Sequence, residues 1–139
     1  MKIERRQAIV AIIQQADKFL FVKRSDYTES AKGYWCPVGG GIEDRETQKE
    51  ALRREVMEEV GLNVIAERKI CKITSHDNRS ILHYWTTKII SGKATITSVE
   101  ATDIKWVAPE EMKKLNPVFK EDLRIIDSLY NAQIPEDKI

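Results

Sequence analysis

The chain has 139 residues, 42% of them hydrophobic and 32% charged. Lysine and arginine together number 23 against 22 aspartates and glutamates, a formal net charge of +1. That length fits one domain over residues 1–139 with a core of its own. The near-neutral balance argues against a broad basic surface for nucleic acid, and no stretch approaches the roughly 20 apolar residues of a membrane span.

In chain order, the segment Met1 to Gln7 has no apolar block of signal-peptide length. Ala8 to Ile13 is a continuous apolar run rich in β-branched residues, and Lys18 to Lys23 follows after Asp17. The pair predicts a hairpin whose strands are buried on both faces. Residues 25–34 are polar and read as a loop. Trp35-Cys36-Pro37-Val38 leads into Gly39-Gly40-Gly41, which is expected to lie outside regular structure. Cys36 and Cys71 are the only cysteines and have no C-x-x-C spacing, so reduced thiols in a cytoplasmic protein are expected. His76 and His83 are badly spaced for a helical metal motif.

Thr47 and Glu50 form a capping-box pattern that opens a helix running to Val60, with Gly61 as its left-handed cap. Leu52, Val56 and Val60 make its apolar stripe. Strands are predicted over 64–74 and 81–90, with Asp77-Asn78 in a turn between them, and over 104–107. Pro109 starts a short helix through Leu115, and Asn116-Pro117 breaks it. A closing helix from Phe119 to Ala132 carries Leu123, Ile126 and Tyr130 as its apolar residues. Strands mixed with a few helices, without βαβ alternation, predict an α/β or α+β fold around a mixed sheet.

The chemistry concentrates on the capped helix. Glu55, Glu58 and Glu59 stand at i, i+3 and i+4 and fall within about 100° of arc. Glu50, Arg54 and Glu58 form a favourable ladder, which leaves Glu55 and Glu59 without a helical partner. Two readings fit: a solvated acidic face, or a set of oxygen ligands for a hard divalent cation. The preceding glycines favour the second, because they offer bare amides and carbonyls at close range to an ion or a phosphate.

The stretch Gly40 to Leu62, GGIEDRETQKEALRREVMEEVGL, resembles the Nudix box, G-x5-E-x7-R-E-U-x-E-E-x-G-U, where U is a bulky aliphatic residue. Gly40, Glu46, Arg54, Glu55, Val56, Glu58, Glu59, Gly61 and Leu62 fill every specified position. The resemblance implies a Nudix fold, a mixed β-sheet sandwiched between helices. It implies metal-dependent hydrolysis of a pyrophosphate bond in a nucleoside diphosphate linked to a group X, with Mg²⁺ as the cofactor and Mn²⁺ as the alternative. On the matching positions Glu55, Glu58 and Glu59 hold the metal, the carbonyl of Gly39 completes the site, and Gly40 meets the substrate. Arg54 orients a catalytic glutamate by ion pairing, and Glu46 supports the site. The general base is Glu58 or, from outside the box, Glu100. Glu100 lies six residues before Trp106, a placement similar to a metal-binding or base glutamate of the MutT-type branch.

The same branch implies a phosphate contact for Arg24, at the end of the second strand, and a purine contact for Asn116. Tyr34 or Phe119 is a candidate to stack on a base. ADP-ribose hydrolases often carry a proline where this chain has Asn78, and the further motif of coenzyme A hydrolases is absent. Both departures favour a MutT-like enzyme acting on a nucleoside triphosphate or related nucleotide. ADP-ribose, nucleotide-sugar and dinucleoside-polyphosphate hydrolysis remain alternatives. So does a non-catalytic nucleotide-sensing module, although such modules usually have eroded box carboxylates. The expected partner is a small nucleotide, with no nucleic acid and no membrane, acting on a monomer or homodimer.

Overall fold

The two apolar runs near the N-terminus become strands with both faces covered. In the computed structural model, which describes residues 4–28 and 30–133, they are β1 (Arg6–Ile12) and β3 (Lys18–Arg24). Met1 to Ile3 of the N-terminal segment lie outside the described residues. Ile9 to Ile13 and Phe19 to Val22 are all buried. Side chains alternate across each strand. Ile9, Ala11, Ile13, Leu20 and Val22 join one apolar cluster, and Val10, Ile12, Phe19 and Phe21 join another.

These strands do not form the simple hairpin predicted from sequence. Only β2 (Gln14–Gln15) turns back on β3, while β1 pairs antiparallel with β5 (Val38–Gly41) and parallel with β7 (Ser80–Ser91). β6 (Asn63–Thr74) completes that sheet in the order β5-β1-β7-β6. β3 pairs antiparallel with β2, with β4 (Trp35–Cys36) and with β8 (Ala101–Val107). The physical reason is that both apolar runs need cover on both faces. In separate sheets each run meets the cluster of α1 on one face and the cluster of the later helices on the other, and the chain passes between sheets at Ile13.

Helix α1 (Gln48–Val60) covers one side through Leu52, Val56 and Val60. Helices α2 (Pro109–Met112) and α3 (Lys120–Asn131) cover the other through Met112, Ile126 and Leu129. The fold is thus mixed α+β, with sheet between helices. The α1 termini match the sequence expectation. Thr47 Oγ1 accepts the Glu50 N–H at 3.1 Å, Glu50 Oε1 accepts the Thr47 N–H at 2.9 Å, and Gly61 has φ 72°. β6, β7 and β8 also appear, β6 one residue longer at its start, β7 one residue longer at each end and β8 three residues longer at its start, where pairing continues beyond the apolar pattern. The buried stripe of α3 is Asp122, Ile126 and Leu129, one residue off the expected Leu123, Ile126 and Tyr130. No helix among the described residues is long and apolar enough to cross a membrane.

The glycine run corrects a second expectation: Val38 to Gly41 is a strand, with Gly39, Gly40 and Gly41 opposite Val10, Ile9 and Ala8. Its glycines answer a need for close approach. A Cβ on Gly39 would sit 2.6 Å from the Ile9 carbonyl oxygen, and one on Gly40 would collide with the Glu55 carboxylate. Gly39→Ala is therefore expected to force β5 away from β1 and to destabilise the fold by roughly 1–3 kcal/mol. Urea denaturation reads this directly, and an unchanged midpoint would contradict the packing argument.

Candidate active site

Arg54 joins α1 to the glycine strand. Its Nε and Nη2 donate to the two oxygens of Glu46 at 2.7 and 2.9 Å, and Nη2 also donates to the Gly41 carbonyl at 3.0 Å. Nη1 donates to Glu55 Oε1 at 2.9 Å and to Glu58 Oε2 at 3.2 Å. A guanidinium can do this because its donors form a rigid planar fork. The Arg54 hydrogen bonds hold the Glu46 carboxyl down at about 2, helped by the Glu43 N–H. Only half of the predicted ladder forms, because Glu50 is committed to the Thr47 cap. Glu55, predicted to lack a partner, has Arg54.

The three helical carboxylates differ sharply in environment. The Glu58 side chain is 58% exposed and that of Glu55 is 15% exposed. Burial pushes Glu55 up, and Arg54 opposes the rise. Glu59 is 4% exposed, and its Oε2 is buried with no hydrogen-bond partner. Burial, followed by the charges of Glu55 and Glu100, pushes Glu59 up to about 8, while the Arg24 charge opposes this. Among the described residues, no three acidic, imidazole or thiol groups converge as they stand on a point that would hold an ion. Arg54 Nη1 draws Glu55 and Glu58 to itself. An orphaned buried carboxylate oxygen is costly unless a cation or a donor meets it. An all-oxygen donor set of this charge fits a hard divalent cation.

A cavity of about 810 Å³ opens beside these groups, lined by Gly39, Gly40, Glu55, Arg24 and Glu100 among others. Glu100 reaches it through the segment after β7, which is latched to the end of α1. The Thr97 hydroxyl donates to the Glu58 carbonyl at 2.7 Å, and the Thr97 and Thr95 N–H groups donate to the Glu59 and Val60 carbonyls. These bonds satisfy carbonyls that a helix end leaves open. Arg24 Nε donates to the Ser30 carbonyl at 3.0 Å. Asn116 is not brought in: it is exposed, lies between α2 and α3, and does not line the cavity. Phe119 does line it, with its ring stacked 4.4 Å from that of Tyr34 and tilted by 36° to that of His76 at 4.7 Å.

Two cavity residues escaped the sequence reading. The Tyr84 hydroxyl donates to Asp122 Oδ1 at 2.6 Å, and Asp122 is only 4% exposed. The one available signal was an acid at the head of an i, i+4, i+7 stripe otherwise made of Ile126 and Leu129. Burial pushes Asp122 from 3.8 up to about 6, against the Tyr84 bond. A raised folded value means that its stabilising effect is complete below the unfolded value and is lost as pH rises through about 6. Asp122→Asn keeps an acceptor for Tyr84 without the charge. It should be more stable than the parent by about 2–3 kcal/mol at pH 8 and nearly equal to it at pH 4. Equal urea midpoints at pH 8 would refute this.

Known proteins resemble this chain in sequence and in fold. The family model of the NUDIX domain matches residues 4–129. A CTP pyrophosphohydrolase of Escherichia coli K12 is 25% identical over 122 residues, covering 88% of this chain and 89% of that protein. The nucleoside triphosphatase NudI of Escherichia coli O17:K52:H18 is 28% identical over 137 residues, covering 88% and 97%. A crystal structure of a MutT protein from Methanosarcina mazei Go1 superposes with a TM-score of 0.80 at 18% identity, covering 96% of this chain and 97% of that one, a likeness of fold.

Proposed function

The chain belongs to the NUDIX domain family, and on that footing we propose that it hydrolyses a nucleoside triphosphate or a closely related nucleotide at a pyrophosphate bond. It is a pyrophosphohydrolase by family. The observation that carries the finer reading is the orphaned, buried Glu59 oxygen, one helical turn from Glu55 at the edge of a nucleotide-sized cavity. The named activities of the CTP pyrophosphohydrolase and nucleoside triphosphatase relatives support the substrate class.

Glu55, Glu58 and Glu59, with the Gly39 carbonyl and Glu100, would hold Mg²⁺, or Mn²⁺ in its place. When bound, the cation neutralises phosphate charge and lowers the pKa of water. The protein's own residues do the rest. Gly40, whose missing Cβ makes room for the Glu55 carboxylate, faces the substrate at the cavity wall, and Arg24 offers its charge to a phosphate. Glu58, oriented by Arg54, or Glu100, exposed at the cavity, accepts the proton of the attacking water. The water oxygen forms a new P–O bond, and the bridging P–O bond breaks with its electron pair leaving on the departing phosphate group. Glu46 acts at one remove by fixing Arg54. A single domain, a cytoplasmic location and a monomer or homodimer belong to the same proposal.

The test is a panel of nucleoside triphosphates, ADP-ribose, a nucleotide sugar and a dinucleoside polyphosphate, with Mg²⁺ or with EDTA. Phosphate or pyrophosphate release from triphosphates, abolished by EDTA, is expected. Faster turnover of ADP-ribose or the sugar nucleotide would overturn the substrate class. Tight binding without turnover of any of them would make the chain a sensor.

A further inference from the structure

Glu100 is exposed and sits immediately before β8, outside the regular ladder. The pairing of β3 with β8 breaks just there. Lys23 lies opposite Asp103 but Arg24 opposite Ala101, so Thr102 is passed over. A bulge of this kind bends the strand and re-aims the residues beside it. Past the bulge Ser25 takes over from the ladder. Its N–H donates to the Glu100 carbonyl at 2.8 Å, and its hydroxyl donates to the Val99 carbonyl at 2.6 Å. The Ser98 hydroxyl accepts the Glu100 N–H at 3.1 Å. Both backbone polar groups of Glu100 are therefore held.

Ser25 is only 3% exposed, and its hydroxyl is bonded on two sides, as a buried polar group must be. Besides donating to Val99, the oxygen accepts the Tyr27 N–H at 3.2 Å, and the Ser25 carbonyl accepts the Thr28 hydroxyl at 2.8 Å. Arg24, Tyr27 and Thr28 line the cavity, as Glu100 does. One small side chain thus joins the segment that carries the Arg24 charge to the segment that carries Glu100. The other flank of the Glu100 segment is latched to α1 at Thr95 and Thr97. Glu100 stands between these two anchors, near enough to the helix for its charge to bear on Glu55 and Glu59. An alanine at position 25 would keep the backbone bond to Glu100 and lose only what the hydroxyl does for Val99 and Tyr27.

We propose that Ser25 is a positioning residue for the reaction: its hydroxyl, by tying Val99 to the Arg24–Thr28 segment, sets the place of the Glu100 carboxylate opposite the carboxylates of α1. This rests on the nucleotide-hydrolase reading and deepens it. Ser25 touches neither substrate nor cation and acts through Glu100. A misplacement of about 1 Å in a reacting or ligating group costs up to about 10²-fold in rate. The loss should fall on kcat rather than KM, because Arg24 is held separately by its bond to the Ser30 carbonyl and its place opposite Ala101.

The experiment is a cycle of Ser25→Ala, Glu100→Gln and the double variant, measured with the nucleoside triphosphate that the parent turns over fastest. Ser25→Ala should lower kcat about tenfold with KM moved by less than about twofold. Glu100→Gln should lower kcat at least as much, and Ser25→Ala should cost nothing further in that background. A serine that only supported the fold would lower both backgrounds alike. Amide hydrogen exchange of the metal-free proteins gives a readout independent of turnover. Residues 98–101 should exchange about 5- to 10-fold faster in Ser25→Ala, with α1 and α3 unmoved. Unchanged exchange over 98–101, equal loss of kcat in both backgrounds, or full activity of Glu100→Gln overturns the proposal while leaving hydrolysis standing. Absence of turnover with every nucleotide defeats the hydrolase reading instead, and exchange over 98–101 still decides whether Ser25 fixes Glu100.

Discussion

Glu59→Gln should lose turnover by about 10²- to 10³-fold and gain stability at the same time. The two effects share one cause. Glu59 is buried against the apolar side of α1, its Oε2 has no partner, and burial pushes it from 4.5 up to about 8. The raised folded value sets the sign. The stability that this group contributes is complete below pH 4.5 and is lost as pH rises through about 8. Without a divalent cation, the parent should therefore weaken between pH 5 and pH 9 by on the order of 3–5 kcal/mol more than the glutamine variant. Mg²⁺ should restore the parent at high pH through mass action, about 2.7 kcal/mol at a hundredfold excess over Kd, and should do little for the variant. Urea unfolding at pH 5, 7 and 9, in EDTA and in Mg²⁺, separates these cases. Parallel pH profiles for the two proteins, or full turnover by Glu59→Gln at limiting Mg²⁺, would remove Glu59 from the site.

That conflict between stability and function recurs at Asp122. Both residues interrupt an apolar surface and both are raised by burial; Asp122 lines the cavity, and Glu59 stands one helical turn from Glu55, which does. A fold selected for stability alone would place glutamine, asparagine or an aliphatic residue at such sites, so the persistence of charge there is what a site for ligands looks like.

What sequence reading recovered depended on range. The α1 helix was legible from cap to cap, because the Thr47–Glu50 box and the left-handed Gly61 are decided within a few residues. The acidic face of the helix followed from its period. The divergence of β1 from β3 was not legible, because it depends on parallel pairing with β7, some seventy residues on. The glycine strand misled for a related reason. Three glycines look like a turn until the Glu55 carboxylate and the Ile9 carbonyl press against them. Tyr84 and Asp122 meet only through packing of α3 on the sheet. Asn116, carried over by resemblance, lies outside the cavity because the turn between α2 and α3 places it at the surface, while the next helical turn carries Asp122 inward.

Arg54→Ala is expected to damage both stability and rate, which distinguishes it from Glu59→Gln. Its removal leaves Glu46, Glu55 and Glu58 clustered without their shared cation and frees the Gly41 carbonyl. The Arg54 side chain is 22% exposed and that of Glu46 14%, so a loss of about 2–3 kcal/mol is expected, below the range for fully buried pairs. Turnover should fall about 10²-fold, because Glu55 and Glu58 lose the group that orients them. Arg54→Lys should rescue little, since one ammonium cannot serve both Glu46 oxygens, Glu55, Glu58 and a carbonyl together. Acid titration supplies an independent readout. Glu46 is held down at about 2 from 4.5 chiefly by its Arg54 hydrogen bonds. That depressed value contributes stability present above pH 4.5 and lost as pH falls through about 2. In Arg54→Ala this acid-sensitive share disappears, so its stability should decline less steeply over that window. A cycle with Glu46→Gln should then be non-additive by about 1–3 kcal/mol. An Arg54→Lys protein as stable and active as the parent, or strict additivity in the cycle, would show that the guanidinium does not organise the helix carboxylates.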